Sequence, residues 1–341
     1  MFEAMETIQQ IFIPNEMDLL IANFQCSMDS LHTATTLAST LEQLEVFQDT
    51  VATFGLSREL LAFADHNQIL SSAIPEIPSL EAYLADANID LMVANESILT
   101  SIKEVAHRFA DTFLMHIKKY QNWYLSAVQY LAATLTILLN KDTLIGVSKI
   151  MNISGNIPID LILKVLASPK VIIPAITTIS LMAAIAYARS APLAVKEALQ
   201  LTLPTDVQAR SDYVKKVRKI FLDKTRVDID KIGVSTLSES ETGKSARELG
   251  YTKEHVGEII HDITLAVEEI KRCDFIPTEL KRLSQTVEAT TSNGRAALIF
   301  LTGVITKVMH LAVTDTMKAA QQMKKLDSAV THAVEQESEK K

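Results

Sequence analysis

Two uncharged runs constrain the fold of this chain more than any other feature. Trp123–Leu139 contains 17 residues without a charge, and Val171–Ala188 contains 18. A helix that crosses a bilayer needs roughly 20 predominantly apolar residues, with about 17 as the lower limit. The two runs therefore predict a central apolar helical hairpin. This hairpin is either the buried core of a large helical domain or an element that inserts into membranes.

The composition favours a helical protein. The 341 residues include nine glycines and nine prolines, and aromatic residues make up 6% of the chain. Apolar residues that recur at spacings of three and four favour helices over a sheet with many turns. The two cysteines, Cys26 and Cys273, lie far apart in sequence and predict no disulfide framework. We expect an all-α fold with long helices.

Charge is distributed unevenly along the chain. Residues 1–81 contain twelve acidic residues and one basic residue, Arg58, so their formal charge is −11, whereas residues 82–341 carry +3. Such asymmetry is typical of an acidic segment with a separate role, beside a body that meets a polyanion. The alternative is an acidic subdomain that packs beside a neutral one.

Prolines and shifts in composition divide the chain into regions. Pro75 and Pro78 exclude a regular helix and indicate an extended linker at the end of the acidic segment. The predicted regions are an acidic helical leader (1–81), a helical body with the apolar hairpin (82–204), a charged linker region (205–250) and long C-terminal helices (251–341).

Glycine and proline also predict where individual helices end. Gly55 should end a helix that covers Ser27–Phe54, and Pro14 should interrupt the shorter helix before it. Pro192 should lead the chain out of the second apolar run. Some strand is expected over Lys224–Val234.

The signatures of an enzyme are incomplete in this sequence. Two Glu-x-x-His pairs occur, Glu104 with His107 and Glu258 with His261, but the two further glutamates of a di-iron helical bundle have no convincing counterpart. No Gly-x-Ser-x-Gly elbow is present. We therefore expect a non-enzymatic protein without a metal or a cofactor.

A basic cluster provides the candidate contact with a polyanion. It consists of Lys215, Lys216, Arg218 and Lys219. Lysine and arginine at this density can neutralise phosphates without reading a base sequence. Five acidic residues also lie within 205–231, so a solvated charged face is the alternative.

Two aromatic residues stand where the first uncharged run begins. Trp123 and Tyr124 follow Lys118 and Lys119 closely. Cations, then aromatic rings, then apolar residues is the order of an interfacial membrane anchor. It is also the order in which a helix enters a protein core, with lysine stems covering the rim.

The phrase FGLSRELLAFADHNQILSSAIPEIPSLEAY (Phe54–Tyr83) resembles the N-terminal segment of internal head or prohead core proteins of large tailed bacteriophages. That resemblance implies removal of the leader by a prohead protease, which favours a small residue two positions before a glutamate and cuts after the glutamate. Ser79, Leu80 and Glu81 match this pattern in the predicted linker, so Ala82 would become the new N-terminus. Ala4, Met5 and Glu6 match the same pattern.

The same resemblance implies a function. We expect a non-enzymatic structural protein of the virion interior, synthesised in the host cytoplasm and packaged or ejected with DNA. Its partners would be other head proteins, the prohead protease and packaged DNA through non-specific contacts. The alternative from the apolar runs is an α-helical pore-forming or membrane-inserting protein that uses the hairpin 123–188.

Overall fold

A computed structural model describes residues 2–57, 59–60, 91–138, 177–232, 248–250, 253–273 and 275–338. Within these residues every regular element is helical, which confirms the all-α class. The α-helices are α1 (Phe2–Phe54), α2 (Leu91–Leu138), α3 (Thr178–Ala198), α4 (Val207–Thr225), α5 (Lys253–Lys271), α6 (Ile276–Ser284) and α7 (Ser292–Ser338). Short 3₁₀ turns occupy Ile229–Lys231 and Val287–Thr290.

The helix at the centre of the described bundle is α7. It packs against α1, α2, α3 and α4. Its apolar residues are buried on several sides, as expected of a helix that is apolar on several sides. The apolar hairpin was predicted as the central element instead, whereas α7 carries the charges of Lys307 and Asp315 within its apolar run. In the structure Lys307 is exposed, whereas Asp315 is buried near Tyr187 of α3.

The described parts of the two uncharged runs both contribute to the core around α7. The first run lies at the end of α2, which packs mainly against α1 and α7. The second run continues into α3, which packs mainly against α4, α5 and α7. Residues 139–176, where the hairpin connection was predicted, lie outside the described residues.

The predicted helix ends agree with the structure at Gly55 and disagree at two prolines. Gly55 has φ +77° and its N–H donates to the carbonyl of Val51 at 2.9 Å, so α1 ends one residue earlier. α1 runs through Pro14, so the predicted interruption is wrong. Pro192 lies inside α3. It is tolerated there because neighbouring residues such as Ala188 are buried, and tertiary packing offsets the lost backbone hydrogen bond.

Part of the predicted linker region is a regular helix. The carboxylate of Asp206 caps α4 by accepting the N–H of Ala209 at 2.8 Å, and Arg226 ends it in a left-handed conformation. One side of α4 is buried at positions four apart, Tyr213, Val217, Phe221 and Thr225. The strand expected over 224–234 is wrong for its described residues, which form the end of α4 and a 3₁₀ turn.

The acidic leader contributes to the core. α1 packs against both α2 and α7. Its apolar stripe is buried at Ala34, Leu41, Leu44, Phe47 and Val51. Phe54, which the spacing assigned to the same face, is 83% exposed because the helix ends there.

Candidate functional sites

The predicted basic cluster lies on the solvent side of α4. Lys215, Lys216, Arg218 and Lys219 are all exposed. They fall between the buried positions of the stripe, so the residues that anchor α4 in the core also direct the four cations outward. We call these four residues the basic face.

Two members of the basic face are paired with acidic residues. Lys215 Nζ lies 3.3 Å from Asp212 Oδ1, and Arg218 Nε lies 3.3 Å from Asp230 Oδ2. Within the described part of the chain, Lys216 and Lys219 form no ion pair. Exposed ion pairs contribute at most about 1 kcal/mol, so a phosphate group can compete for the paired cations as well.

A groove beside the basic face adds a cation that the sequence analysis missed. The groove, about 430 Å³ in volume, separates α4 from the start of α7. Arg210 and Arg218 line it together with Val214. Arg210, Val214 and Arg218 follow one another at intervals of four residues, which places them on one side of α4. This spacing is the sequence signal from which Arg210 could have been identified. The guanidinium carbon Cζ of Arg218 also lies 5.9 Å from the ring centroid of Phe300, so a contact between α4 and α7 borders the groove.

The candidate cleavage residues lie outside the described part of the chain. These are Ser79, Leu80, Glu81 and Ala82. The nearest described residues are Leu60 on one side and Leu91 on the other. Cleavage after Glu81 therefore stays a prediction from the sequence.

The two aromatic anchor residues are buried in the core. Trp123 is 5% exposed and Tyr124 is 1% exposed. Burial raises the pKa of Tyr124 well above its ordinary value, and nearby Cys273 adds to the effect. These positions support the core interpretation of the first uncharged run.

A cluster of aromatic and polar side chains joins α1 to the body, and no pattern in the sequence predicts it. The Tyr120 hydroxyl of α2 donates to the backbone carbonyl of Ser27 at 2.5 Å. The Phe24 ring stacks on His310 of α7 with 3.8 Å between centroids, and it lies 6.2 Å from the ring of Trp123. Burial raises the pKa of Tyr120 and lowers the pKa of His310.

A second connection between α1 and α7 is charged. Arg295 Nη2 lies 2.7 Å from Glu45 Oε1, and the arginine also donates to the carbonyl of Thr290. The Arg295 side chain is only 3% exposed, whereas that of Glu45 is 42% exposed. A guanidinium in such a position requires an acidic partner, because burial of an unpaired charge is costly.

No group of three metal-binding side chains occurs among the residues that the structure describes. Glu104 and His107 lie exposed on α2, and Glu258 and His261 lie exposed on α5. Both pairs therefore point to solvent, away from the helical core.

Two described helical segments, Thr178–Ala198 and Ser292–Gln322, are long and apolar enough to cross a membrane, although more than half of each apolar window is buried.

Comparison with known proteins adds no relative. The chain matches no family model, no curated protein and no solved structure.

Proposed function

We propose that this protein is a non-enzymatic structural protein of the interior of a tailed-phage head. In this proposal it is made in the host cytoplasm, assembled with other head proteins and packaged or ejected with DNA. One observation carries the proposal: Ser79-Leu80-Glu81 follows a proline-containing linker and divides the chain into a part of net charge −11 and a part of net charge +3. A prohead protease that cuts after Glu81 separates a segment of charge −11 from a segment of charge +3.

Removal of the acidic segment has a physical rationale for a protein that is stored next to packaged DNA. Acidic residues repel the phosphate backbone, so a particle gains when the acidic segment is detached from the protein stored next to DNA. The basic face of α4 is exposed and is available for backbone contacts. A net charge of +3 on residues 82–341 fits weak, non-specific contact rather than DNA condensation.

The test is the N-terminal sequence of the protein in mature particles. Mass spectrometry should find a chain that begins at Ala82, and an intact Met1–Glu81 segment in mature particles contradicts the proposal. Glu81→Gln should block the cut. Glu76→Gln is the matched control, because Ile74 stands two positions before that glutamate in place of a small residue.

A second function is supported by the apolar helices. α3 and the first part of α7 have the length and composition of membrane-crossing helices, which favours a pore-forming or membrane-inserting protein. The burial of Trp123 and Tyr124 supports the structural function instead. The two functions make different predictions for a charge in the first uncharged run.

Leu131 and Ala133 provide the test, because Leu131 is fully buried and Ala133 is exposed. If the run is core, Leu131→Asp unfolds the protein, Ala133→Asp stays folded and the wild type does not permeabilise liposomes. If the run inserts into membranes, the wild type permeabilises liposomes. The folded Ala133→Asp variant then loses this activity, since an aspartate at the centre of a membrane helix costs about 3 kcal/mol.

A further inference from the structure

We infer that α2 and α7 form a binding groove for α1 that holds the acidic helix without the covalent connection. A cut between Glu81 and Ala82 then leaves the leader bound to the body as a separate chain. The biological use of this groove rests on the proposed processing, whereas the groove itself is a property of the fold.

The apolar part of the interface lies along most of the second half of α1. Ala34, Leu41, Leu44, Phe47 and Val51 are each at most 3% exposed. Among the described helices α1 packs against α2 and α7, so the buried stripe lies on a helix that contacts the body. Burial of apolar surface is the main driving force for the association of two chains as well as for folding. The same stripe therefore remains favourable after the chain is cut.

Two specific contacts also join α1 to α7. Phe24 stacks on His310, and Glu45 pairs with Arg295. Phe24 and Glu45 are 21 positions apart, which corresponds to roughly 30 Å of helix at about 1.5 Å per residue. At this separation α1 presents the Phe24 ring to His310 and the Glu45 carboxylate to Arg295, so α1 is the occupant that the contacts in the structure specify.

Gly303 of α7 lies opposite Leu31 of α1. A Cβ atom added at Gly303 would lie 3.4 Å from Leu31 Cδ2 and would meet no other atom within 4 Å outside its immediate helix backbone and chain neighbours. A methyl group therefore fits at this position, whereas a large side chain must displace Leu31. Gly303 offers a site at which the contact with α1 can be disrupted selectively.

Because the groove holds α1, cleavage after Glu81 does not by itself remove the acidic leader from the body. A cut chain that keeps α1 in place retains the formal charge of −8 of the whole protein. The acidic leader leaves the body only when a second event displaces α1 from α2 and α7. Proteolysis then prepares the release of the leader, and displacement completes it.

The experiment uses the full-length protein with a site-specific protease sequence in place of residues 78–83. After cleavage, size-exclusion chromatography and native mass spectrometry should find both fragments in one complex. Elution of the leader fragment by itself overturns the inference, whether the body stays soluble or precipitates. Neither result bears on the N-terminus found in mature particles, so failure of the proposed processing is observed separately.

Variants of the cleavable protein locate the contact. Gly303→Trp should release the leader after cleavage, and Gly303→Ala should retain it. Glu45→Gln should weaken retention at least tenfold, measured by the dilution at which the fragments separate. Asp49→Asn is its control, because Asp49 is exposed on the same helix one turn later. Retention that is unchanged in both Gly303→Trp and Glu45→Gln contradicts binding in this groove.

Discussion

Arg295 and Glu45 lie 250 residues apart in sequence and form an ion pair of 2.7 Å between the first turn of α7 and α1. The arginine is buried and the glutamate is half-buried. The pair therefore connects the acidic leader to the central helix at a position where an unpaired cation is unfavourable.

Glu45→Gln should lower the free energy of unfolding by about 2 kcal/mol, because it leaves the buried guanidinium of Arg295 without a charged acceptor. Urea denaturation followed by circular dichroism measures the change. Asp49→Asn, an exposed substitution on the same helix, should stay within about 0.5 kcal/mol of the wild type. Equal midpoints for the two variants contradict a stabilising role of the pair.

His310 should make the protein less stable in mild acid. Burial lowers the pKa of His310 below its ordinary value of 6.5, so the unfolded chain binds this proton more readily than the folded protein. The contribution of neutral His310 to the free energy of unfolding is fully present above pH about 6.5 and is lost as the pH falls through the lowered pKa.

His310→Phe, which keeps a ring against Phe24, should reduce the loss of unfolding free energy between pH 7 and pH 5. His107→Gln on the exposed face of α2 is the control and should leave the wild-type loss unchanged. The same pH dependence in all three proteins argues against a contribution from His310.

Buried tyrosines should make the protein sensitive to alkali. Burial raises the pKa of four of them, Tyr120, Tyr124, Tyr187 and Tyr213. Above pH about 10 the unfolded chain loses these protons while the folded protein keeps them, so stability falls as the pH rises. Tyrosinate absorbance should appear together with the loss of helical circular dichroism. Tyrosinate absorbance from all seven tyrosines at pH about 11.5, where tyrosines of ordinary pKa are ionised, in a fully helical protein contradicts this prediction.

Gly250→Ala should be more destabilising than Gly55→Ala. Gly250 has φ +83° and an added Cβ would lie 2.6 Å from Thr178 Oγ1, which combines backbone strain with a clash. Gly55 has φ +77° but an added Cβ meets no atom within 4 Å, so the backbone cost of about 1 kcal/mol stands alone. We expect a loss of about 3 kcal/mol for Gly250→Ala in thermal or urea unfolding. Equal losses for the two variants contradict the clash.

Lys216 and Lys219 should carry most of any contact with DNA. Replacement of both by glutamate should weaken binding to unrelated DNA sequences equally. Each lost phosphate contact should reduce the slope of the logarithm of the binding constant against the logarithm of the salt concentration by about one. A filter-binding titration over a series of salt concentrations measures this. The matched control replaces Lys118 and Lys119, an exposed pair on α2, by glutamate. Equal effects of the two double variants indicate a response to net charge rather than contact at α4.

The amino-acid sequence was sufficient to predict that the helices have apolar faces and to locate the regions where charge accumulates. Apolar residues at spacings of three and four predicted an all-α protein, and Gly55 predicted the end of α1. The lysines and arginine of α4 were identifiable as a charged cluster, although the surrounding charge suggested a linker. These features depend on residues within one or two helical turns of each other, so the local order of amino acids is enough to predict them.

The pairing of the apolar faces became known only from the folded structure. It placed α7 at the centre despite Lys307 and Asp315, and it kept Pro192 inside a helix. It also brought Glu45 to Arg295. Periodicity shows that a helix has an apolar face but does not specify its partner, because many helices offer a similar stripe. The choice depends on close packing and on the pairing of buried polar groups, and both arise only when distant segments come together.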